Sequence, residues 1–310
     1  MTPDPRSPGV LAQPGALTRS SAIILWKQRV ARWIGEIGCH GVCLPVAISC
    51  VFPLVWMISS SLKTQQTVFT DYRLIPSPPH LENYLHAWTQ GRFSLYFLNS
   101  LVYTAVVVVG VVVLAAMAAY AFSRLTFRGS GWLYKMMLST MLIPIPGAFV
   151  ALYILLTRLG LVDQGHNEWL PRLGYLLPQI NAGVPFGIFL LKPFFDKVPK
   201  ELEESAKIDG CGAAGVFWYI MLPLARPALG VVALLTSLSA WNEFLLAYLV
   251  FSRHELMPLQ RGLLAFHGTH LTEYPLLMAG MVISILPIVL VYLVMQRYII
   301  QGITAGAVKG

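Results

Sequence analysis

Charged side chains are scarce in this chain. Lys and Arg number 22 and Asp and Glu 14, together 12% of 310 residues, about half the share found in soluble domains. Cysteine is scarcer still. Cys39, Cys43, Cys50 and Cys211 form no C-x-x-C pair, which argues against a disulfide framework and against a thiolate metal site. No G-x-x-x-x-G-K-[ST] phosphate loop occurs, so the chain is not expected to hydrolyse ATP itself. The seven histidines lie in loops or at the edges of apolar runs, and none forms an H-x-x-x-H or H-x-x-E pair on a helix. No H-E-x-x-H motif, Ser–His–Asp set or carboxylate pair is evident. Neither an enzyme nor a metal site is expected, and no cofactor bound by this chain.

What is abundant is apolar side chain, 56% of the residues. A single chain of this size cannot hide that much greasy surface in a water-facing fold, so a membrane protein is expected. The net charge of +8 would suggest a nucleic-acid partner in a soluble protein. In a membrane protein it reflects Lys and Arg held on the cytoplasmic side, and no nucleic-acid partner is expected.

Six stretches reach the roughly 20 apolar residues that a transmembrane helix needs: about 39–61, 97–121, 132–156, 173–195, 226–250 and 275–299. The expected fold is all-α and polytopic, with six transmembrane helices. With both termini inside, seven basic residues fall outside (Lys63, Arg73, Arg92, Arg158, Arg172, Arg253 and Arg261), and the other fifteen of the 22 fall inside. That asymmetry favours both termini on the cytoplasmic side of the membrane. The expected organisation is a tail with an interfacial helix at 1–37, a membrane domain at 38–300 and a cytoplasmic tail at 301–310. The first 21 residues are rich in Pro, Gly and Ser and read as disordered, with no cleavable signal. The following "AIILWKQRVARWIG" mixes aromatic and basic residues. It suits a helix lying on the inner leaflet, or the start of the first span with snorkelling cations.

One polar stretch interrupts the apolar pattern: "VPKELEESAKIDGCGAAG", residues 198–215. Pro199 suits a first helical turn. Glu201, Glu203 and Glu204 crowd the same turn, where negative charge favours the helix dipole. Gly210 and Gly212 supply a stop, and a second short run ends at Pro223. The expected form is helix–turn–helix under the membrane over 198–225. It reads either as an amphipathic cytoplasmic loop or as a docking element whose small residues let another backbone approach.

"ELEESAKIDG", nine residues, then "IMLP" resembles the EAA motif of binding-protein-dependent ABC importer permeases, which runs E-A-A, three residues, G, nine residues, I-x-L-P. Glu204, Ser205 and Ala206 stand at E-A-A, with Ser for the first Ala, and Gly210, Ile220, Leu222 and Pro223 match the rest. "LENYLHAW", "FLNSL", "AYAFSRLTFRG", "RPALG", "AWNEFLLAYLVF" and "QRYIIQGITAGAVKG" extend the likeness to the maltose-type, carbohydrate-uptake class, second permease subunit. Only about the first 35 residues fall outside it. The resemblance implies a type I importer permease fold. It also implies a second permease subunit, an ATP-binding cassette ATPase dimer that uses ATP and Mg, and an extracytoplasmic solute-binding protein. It makes Glu204, Ser205, Ala206, Asp209 and Gly210 the coupling helix that meets the ATPase, with Glu204 the central contact. The implied cargo is a sugar or related polyhydroxylated solute.

A few polar residues fall inside the spans. Asn242 and Glu243 either line the translocation path or pin helices together, since a carboxylate in hydrocarbon needs a watery or bonded setting. Span three carries Pro144, Pro146 and Gly147, and span four Pro178, Gln179, Asn181, Gly183 and Pro185. These read as bends around a central cavity or as packing kinks. Tyr175, Gln179, Asn181 and Asn242 are candidates to hydrogen-bond solute hydroxyls. The alternative function is a self-contained secondary transporter or channel. No inverted repeat is visible, and a single intramembrane carboxylate is available for ion coupling.

Overall fold

The computed structural model describes residues 19–90, 92–143, 145–267 and 272–307. The chain divides into two compact units, residues 1–56 and 57–310. Among the described residues the regular structure is helical, with one isolated bridge between His267 and Thr272. Helix α1 covers Arg19–Ser61, α2 Glu82–Gln90, α3 Phe93–Arg124, α4 Ser130–Ser139, α5 Ile145–Arg158 and α6 Trp169–Asp196. Then follow α7 (Lys200–Ile208), α8 (Ala213–Leu224), α9 (Arg226–Trp241), α10 (Leu245–Val250), α11 (Leu259–Gly262) and α12 (Tyr274–Ala307). Among the described residues Gly38–Ser61, α3, α6 and Tyr274–Gln296 are each long and apolar enough to cross a bilayer, and two bent pairs raise the count to as many as six if each pair is one span. Of the first 21 residues, expected to be disordered, 1–18 lie outside the described residues, and 19–21 instead begin helix α1. The basic stretch after them belongs to the same unbroken helix as the first apolar run.

Val-rich α3 would be a poor helix in water, because β-branched side chains lose χ1 freedom there. In hydrocarbon the backbone has no other partner than itself, so the helix forms regardless. Its composition is apolar all round. Its buried residues nonetheless recur at Phe93, Tyr96, Ser100, Tyr103, Val107, Val111, Ala115 and Ala119, the three-or-four spacing of one helix face. That face packs on α6. A Cβ on Gly183 would stand 2.7 Å from Val111, one on Gly187 2.5 Å from the Cβ of Ala115, and one on Gly110 2.8 Å from Ile180. Glycine lets the two backbones close to a distance that no larger residue allows.

Two apolar clusters result. One, at the Phe93 end of α3, is aromatic. It gathers Tyr103, Tyr175, Trp241, Phe251 and Phe266. The other, at the Arg124 end, joins α3 and the end of α6 to the segment 198–225 through Phe195, Ala206, Val216, Phe217 and Met221.

The expected breaks are realised unevenly. Helix α6 runs continuously through Pro178, Pro185 and Pro193. A proline removes one backbone bond and need not end a membrane helix whose neighbours hold it. The third span does break, at a 3-10 turn over Thr140–Leu142 before α5. The fifth is parted between α9 and α10 at Asn242–Phe244.

At the Phe93 end, loops are tied by side chains. Asp163 accepts from the backbone N–H groups of Ser252 (3.2 Å), Arg253 (2.9 Å) and Gly165 (3.2 Å), and pairs with Arg253 Nε at 3.0 Å. Polar residues of α3 satisfy the same region. Tyr103 Oη donates to Leu256 O at 3.0 Å, Asn99 Nδ2 to Glu255 O and Met257 O, and Ser100 Oγ accepts from Leu259 N–H at 2.7 Å. Gln65 bridges to the start of α12. It donates to Thr272 O at 2.7 Å and accepts from Tyr274 N–H at 3.0 Å.

Replacing Gly187 by Leu is expected to cost about 1–3 kcal/mol through overpacking, read as a lower melting temperature in detergent. An unchanged melt would contradict the close α3–α6 contact. Asp163 generates a second expectation. Burial acts to raise its pKa, but the backbone donors and Arg253 outweigh it and hold the carboxylate below its ordinary 3.8. A lowered folded pKa adds stability that is complete above about pH 4 and is lost as pH falls from there through the native value. Asp163→Asn is therefore expected to lower the melting temperature by a constant amount between neutral pH and about pH 5, with the difference shrinking below about pH 4. A difference independent of pH down to pH 3 would remove the ion pair from the account.

Candidate docking segment

The polar segment folds as a helical hairpin. Pro199 sits one position before α7, in extended conformation at φ −57°, ψ 136°, rather than inside the first turn. Glu201 and Glu203 occupy that turn. Gly210 ends the helix at φ +87°. The N–H of Cys211 bonds Ala206 O at 2.9 Å and that of Gly210 bonds Lys207 O at 3.1 Å. This pair of bonds is the Schellman closure, whose left-handed residue is best served by glycine. Helix α8 then contains a π turn at Phe217–Met221, and the chain bends by 77° into α9, where Pro223 and Pro227 flank the corner.

The register of α7 divides it cleanly. Glu203 and Ala206, three apart, are buried. Glu204, Ser205, Asp209 and Gly210 are exposed, and Ser205 Oγ turns back to Glu201 O at 2.8 Å. Of the five residues at the motif, four therefore face outward together and Ala206 faces in. Sequence reasoning passed over two large apolar residues of this segment, Ile208 and Tyr219, which are 86% and 81% exposed. For Ile208 the available signal was a large apolar side chain between Lys207 and Asp209, whereas Tyr219 lies inside a large-apolar run and gave none.

It also missed what lies beneath. Arg124, the last residue of α3, places Nε 2.6 Å from Glu203 Oε1, with side chains 6% and 8% exposed. The same guanidinium donates to Phe195 O at 2.7 Å and to Val198 O, at the end of α6. Neither Arg124 Nε nor Glu203 Oε1 has a hydrogen-bond partner elsewhere among the described residues, and the contact between them is an ion pair without a well-aligned hydrogen bond. One turn earlier, Tyr120 Oη donates to Ala213 O at 3.2 Å and Ser123 Oγ to Asp196 Oδ1 at 2.6 Å. Asp196 also pairs with Lys192 at 2.8 Å.

The polar residues expected along a path are dispersed. Tyr175 is 1% exposed, its ring 5.2 Å from that of Tyr103 and 5.1 Å from that of Phe251, so it is a core residue. Gln179 donates to Tyr175 O at 3.0 Å, and Asn181 is exposed. Asn242 donates to Leu238 O at 2.8 Å and accepts from Gln260 at 3.3 Å. Glu243 Oε1 accepts from Leu246 N–H at 2.7 Å, which satisfies an orphan donor at the start of α10. Among the described residues no hydrogen bond joins the α6 group to Asn242 or Glu243, and no group of three or more His, Cys, Asp or Glu side chains is placed to hold a metal.

A chain with six spans and a polar hairpin of this design can be set beside known proteins. The family described as "Binding-protein-dependent transport system inner membrane component" matches residues 112–305. The chain is 36% identical over 284 residues to the "Probable ABC transporter permease protein YurM" of Bacillus subtilis (strain 168), covering 92% of each. It is 31% identical over 272 residues to the "Diacetylchitobiose uptake system permease protein NgcG" of Streptomyces coelicolor, covering 87% of this chain and 88% of that one. In fold it is similar to a chain of a bacterial ABC transporter involved in the import of the acidic polysaccharide alginate, with a TM-score of 0.69 at 24% identity over 92% of this chain and 99% of that chain. This chain belongs to the family of binding-protein-dependent transport system inner-membrane components, and it is a transport permease, not an enzyme.

Proposed function

We propose that the chain is one of two permease subunits of an ATP-driven importer, and that residues 198–225 receive an ATP-binding cassette subunit. The outward face of α7 and α8 carries this reading. On α7 and its closing turn Glu204, Ser205, Ile208, Asp209 and Gly210 are exposed, and on α8 so is Tyr219, while Ala206, Val216, Phe217 and Met221 are packed into the bundle. Large apolar side chains this exposed mark an interaction surface, and tyrosine is among the residues enriched at interface hot spots. Glu204 would supply a charge-assisted hydrogen bond, and Gly210 the turn that presents it. ATP and Mg belong to the partner, since this chain has no phosphate loop.

The second permease subunit, the ATPase dimer and an extracytoplasmic binding protein complete the assembly. Nucleotide binding draws the ATPases together and carries the docking segments with them. The cavity then opens beneath the binding protein, and hydrolysis resets it. Both termini lie in the cytoplasm, following the distribution of Lys and Arg, with a tail to residue 37, the membrane domain at 38–300 and a short tail from 301. The solute is a sugar or related polyhydroxylated molecule. The diacetylchitobiose name of one relative supports this, as do the amides of Gln179, Asn181 and Asn242, which can exchange hydrogen bonds with hydroxyls.

Co-purification of the chain with its ATPase and second permease tests the docking reading. Glu204→Ala is expected to weaken ATPase retention about tenfold to a hundredfold, the loss of one charge-assisted bond. Gly210→Pro is expected to abolish it, because proline fixes φ near −65° where the turn needs +87°. Proteoliposomes of the assembled complex, with binding protein, should accumulate a labelled disaccharide only with ATP inside. A chain that purifies alone and moves the sugar without ATP would sink the reading and make Glu243 the first candidate for ion coupling.

A further inference from the structure

Helix α3 touches both ends of the molecule's polar machinery. Its 32 residues span about 48 Å as a helix. It carries no internal proline, whereas the other three long spans contain Pro45 and Pro53, Pro178, Pro185 and Pro193, and Pro287. At its first end Tyr96 bonds His254 at 2.9 Å, and Asn99, Ser100 and Tyr103 hold the backbone of residues 255–259. At its last end Arg124 meets Glu203 of α7 in the buried ion pair, and Tyr120 meets Ala213 at the start of α8.

We propose that Arg124 and Glu203 are positioning residues that lock the docking segment to α3, so that a displacement of α7 moves α3 as a rod and reaches the 251–259 loop at the other end. The proposal rests on the reading of 198–225 as the ATPase-docking segment. Burying two charges is costly, and an apolar pair of similar volume would often hold two helices at least as well. What an ion pair adds is a single geometry. A methyl contact can slide along a helix face, whereas Arg124 is held at three points at once: the ion pair with Glu203 and hydrogen bonds to Phe195 O and Val198 O. Arg124 Nε and Glu203 Oε1 have no hydrogen-bond partner among the described residues, so a shift of α7 away from α3 would leave the buried Glu203 carboxylate without its counter-charge, while Arg124 would keep only the Phe195 and Val198 carbonyls. The ion pair therefore resists a pull that parts α7 from α3, and the packing of Ala206 in the apolar cluster resists a push.

Glu204 and Glu203 thus have opposite tasks one residue apart. Glu204 faces outward to the partner, and Glu203 faces inward to the rod. A hundred degrees of helix rotation separates them, so a carboxylate at each position serves two surfaces without competition.

The test uses the assembled complex of this chain, its second permease and its ATPase, and reads hydrogen exchange by mass spectrometry with and without ATP, Mg and vanadate. No transported solute is needed. In the wild type, nucleotide should change exchange both in 200–223 and in 251–259. Glu203→Gln keeps the shape and removes the charge. Arg124→Met with Glu203→Met keeps buried volume and avoids a stranded charge, which protects the test against simple misfolding. In both variants the response of 200–223 should persist while that of 251–259 falls at least about threefold, the lower range for residues that modulate coupling between distant sites. Melting of the double variant should match the wild type. A response at 251–259 unchanged in either variant overturns the lock, as does a wild type that responds at 200–223 alone. A wild type that responds at neither place shows instead that the docking reading has failed, and the lock falls with it.

Discussion

Hydrocarbon offers a backbone nothing to bond, and this constraint organises the rest of the chain. Several helix ends and breaks have a side chain posted at the gap. Glu243 takes the N–H of Leu246 where α9 gives way to α10, and Asn242 takes up Leu238 O on the other side of the same break. Arg124 collects the carbonyls of Phe195 and Val198 where α6 ends. Asn99, Ser100 and Tyr103 serve a whole irregular loop from one face of α3. The polar residues of the spans are therefore mostly engaged in repairing backbone. This is why so few of them converge on a common site in this one subunit.

The same constraint separates what was legible in the sequence from what was not. Six spans and one polar hairpin followed from composition and length alone, because a bilayer sets a length that hardly depends on detail. The Schellman turn was legible at Gly210, since a glycine after an acidic-to-basic run has few other uses. Pro178 and Pro185 of span four were read as bends around a cavity or as packing kinks, and α6 runs unbroken through both. Proline's effect depends on whether neighbours supply the lost bond, and neighbours are not visible in a linear string. The buried stripe of α3 was hidden for a related reason. Where lipid-facing and core-facing residues are equally apolar, periodicity carries no contrast, and only the small residues at close contacts, Gly183 against Val111 and Gly187 against Ala115, mark the packed side.

Tyr175 and Glu203 show the limit from opposite directions. Tyr175 was read as a pathway residue because a phenol in a span invites a hydroxyl partner. Its ring instead fills an aromatic cluster, which is the commoner use of a large side chain near a helix crossing. Glu203 was read as one of three acids favouring a helix start. It is buried against Arg124, and that pairing joins residues 79 positions apart in sequence. Local patterns report helix ends well because caps are local. They report ion pairs between elements poorly, since either charge is individually unremarkable at a membrane surface.

The register of α7 then explains why the motif has its form. A segment that must grip the bundle on one side and a partner on the other needs two faces within nine residues. A helix provides them only if inward positions recur at three and outward ones fall between. Glu203 and Ala206 meet the first requirement, and Glu204, Ser205 and Ile208 the second. The inward alanine joins the apolar cluster that also holds Val216 and Phe217 of α8. The outward serine is exposed instead, which is why Ser can stand at that position without disturbing the hairpin. The left-handed glycine closes the arrangement. It turns the chain between α7 and α8, so that Tyr120 of α3 can hold the start of α8 while Arg124 holds α7. Two grips from consecutive turns of one helix fix the orientation of the hairpin as well as its distance, and orientation is what a small, partly exposed element would otherwise lose first.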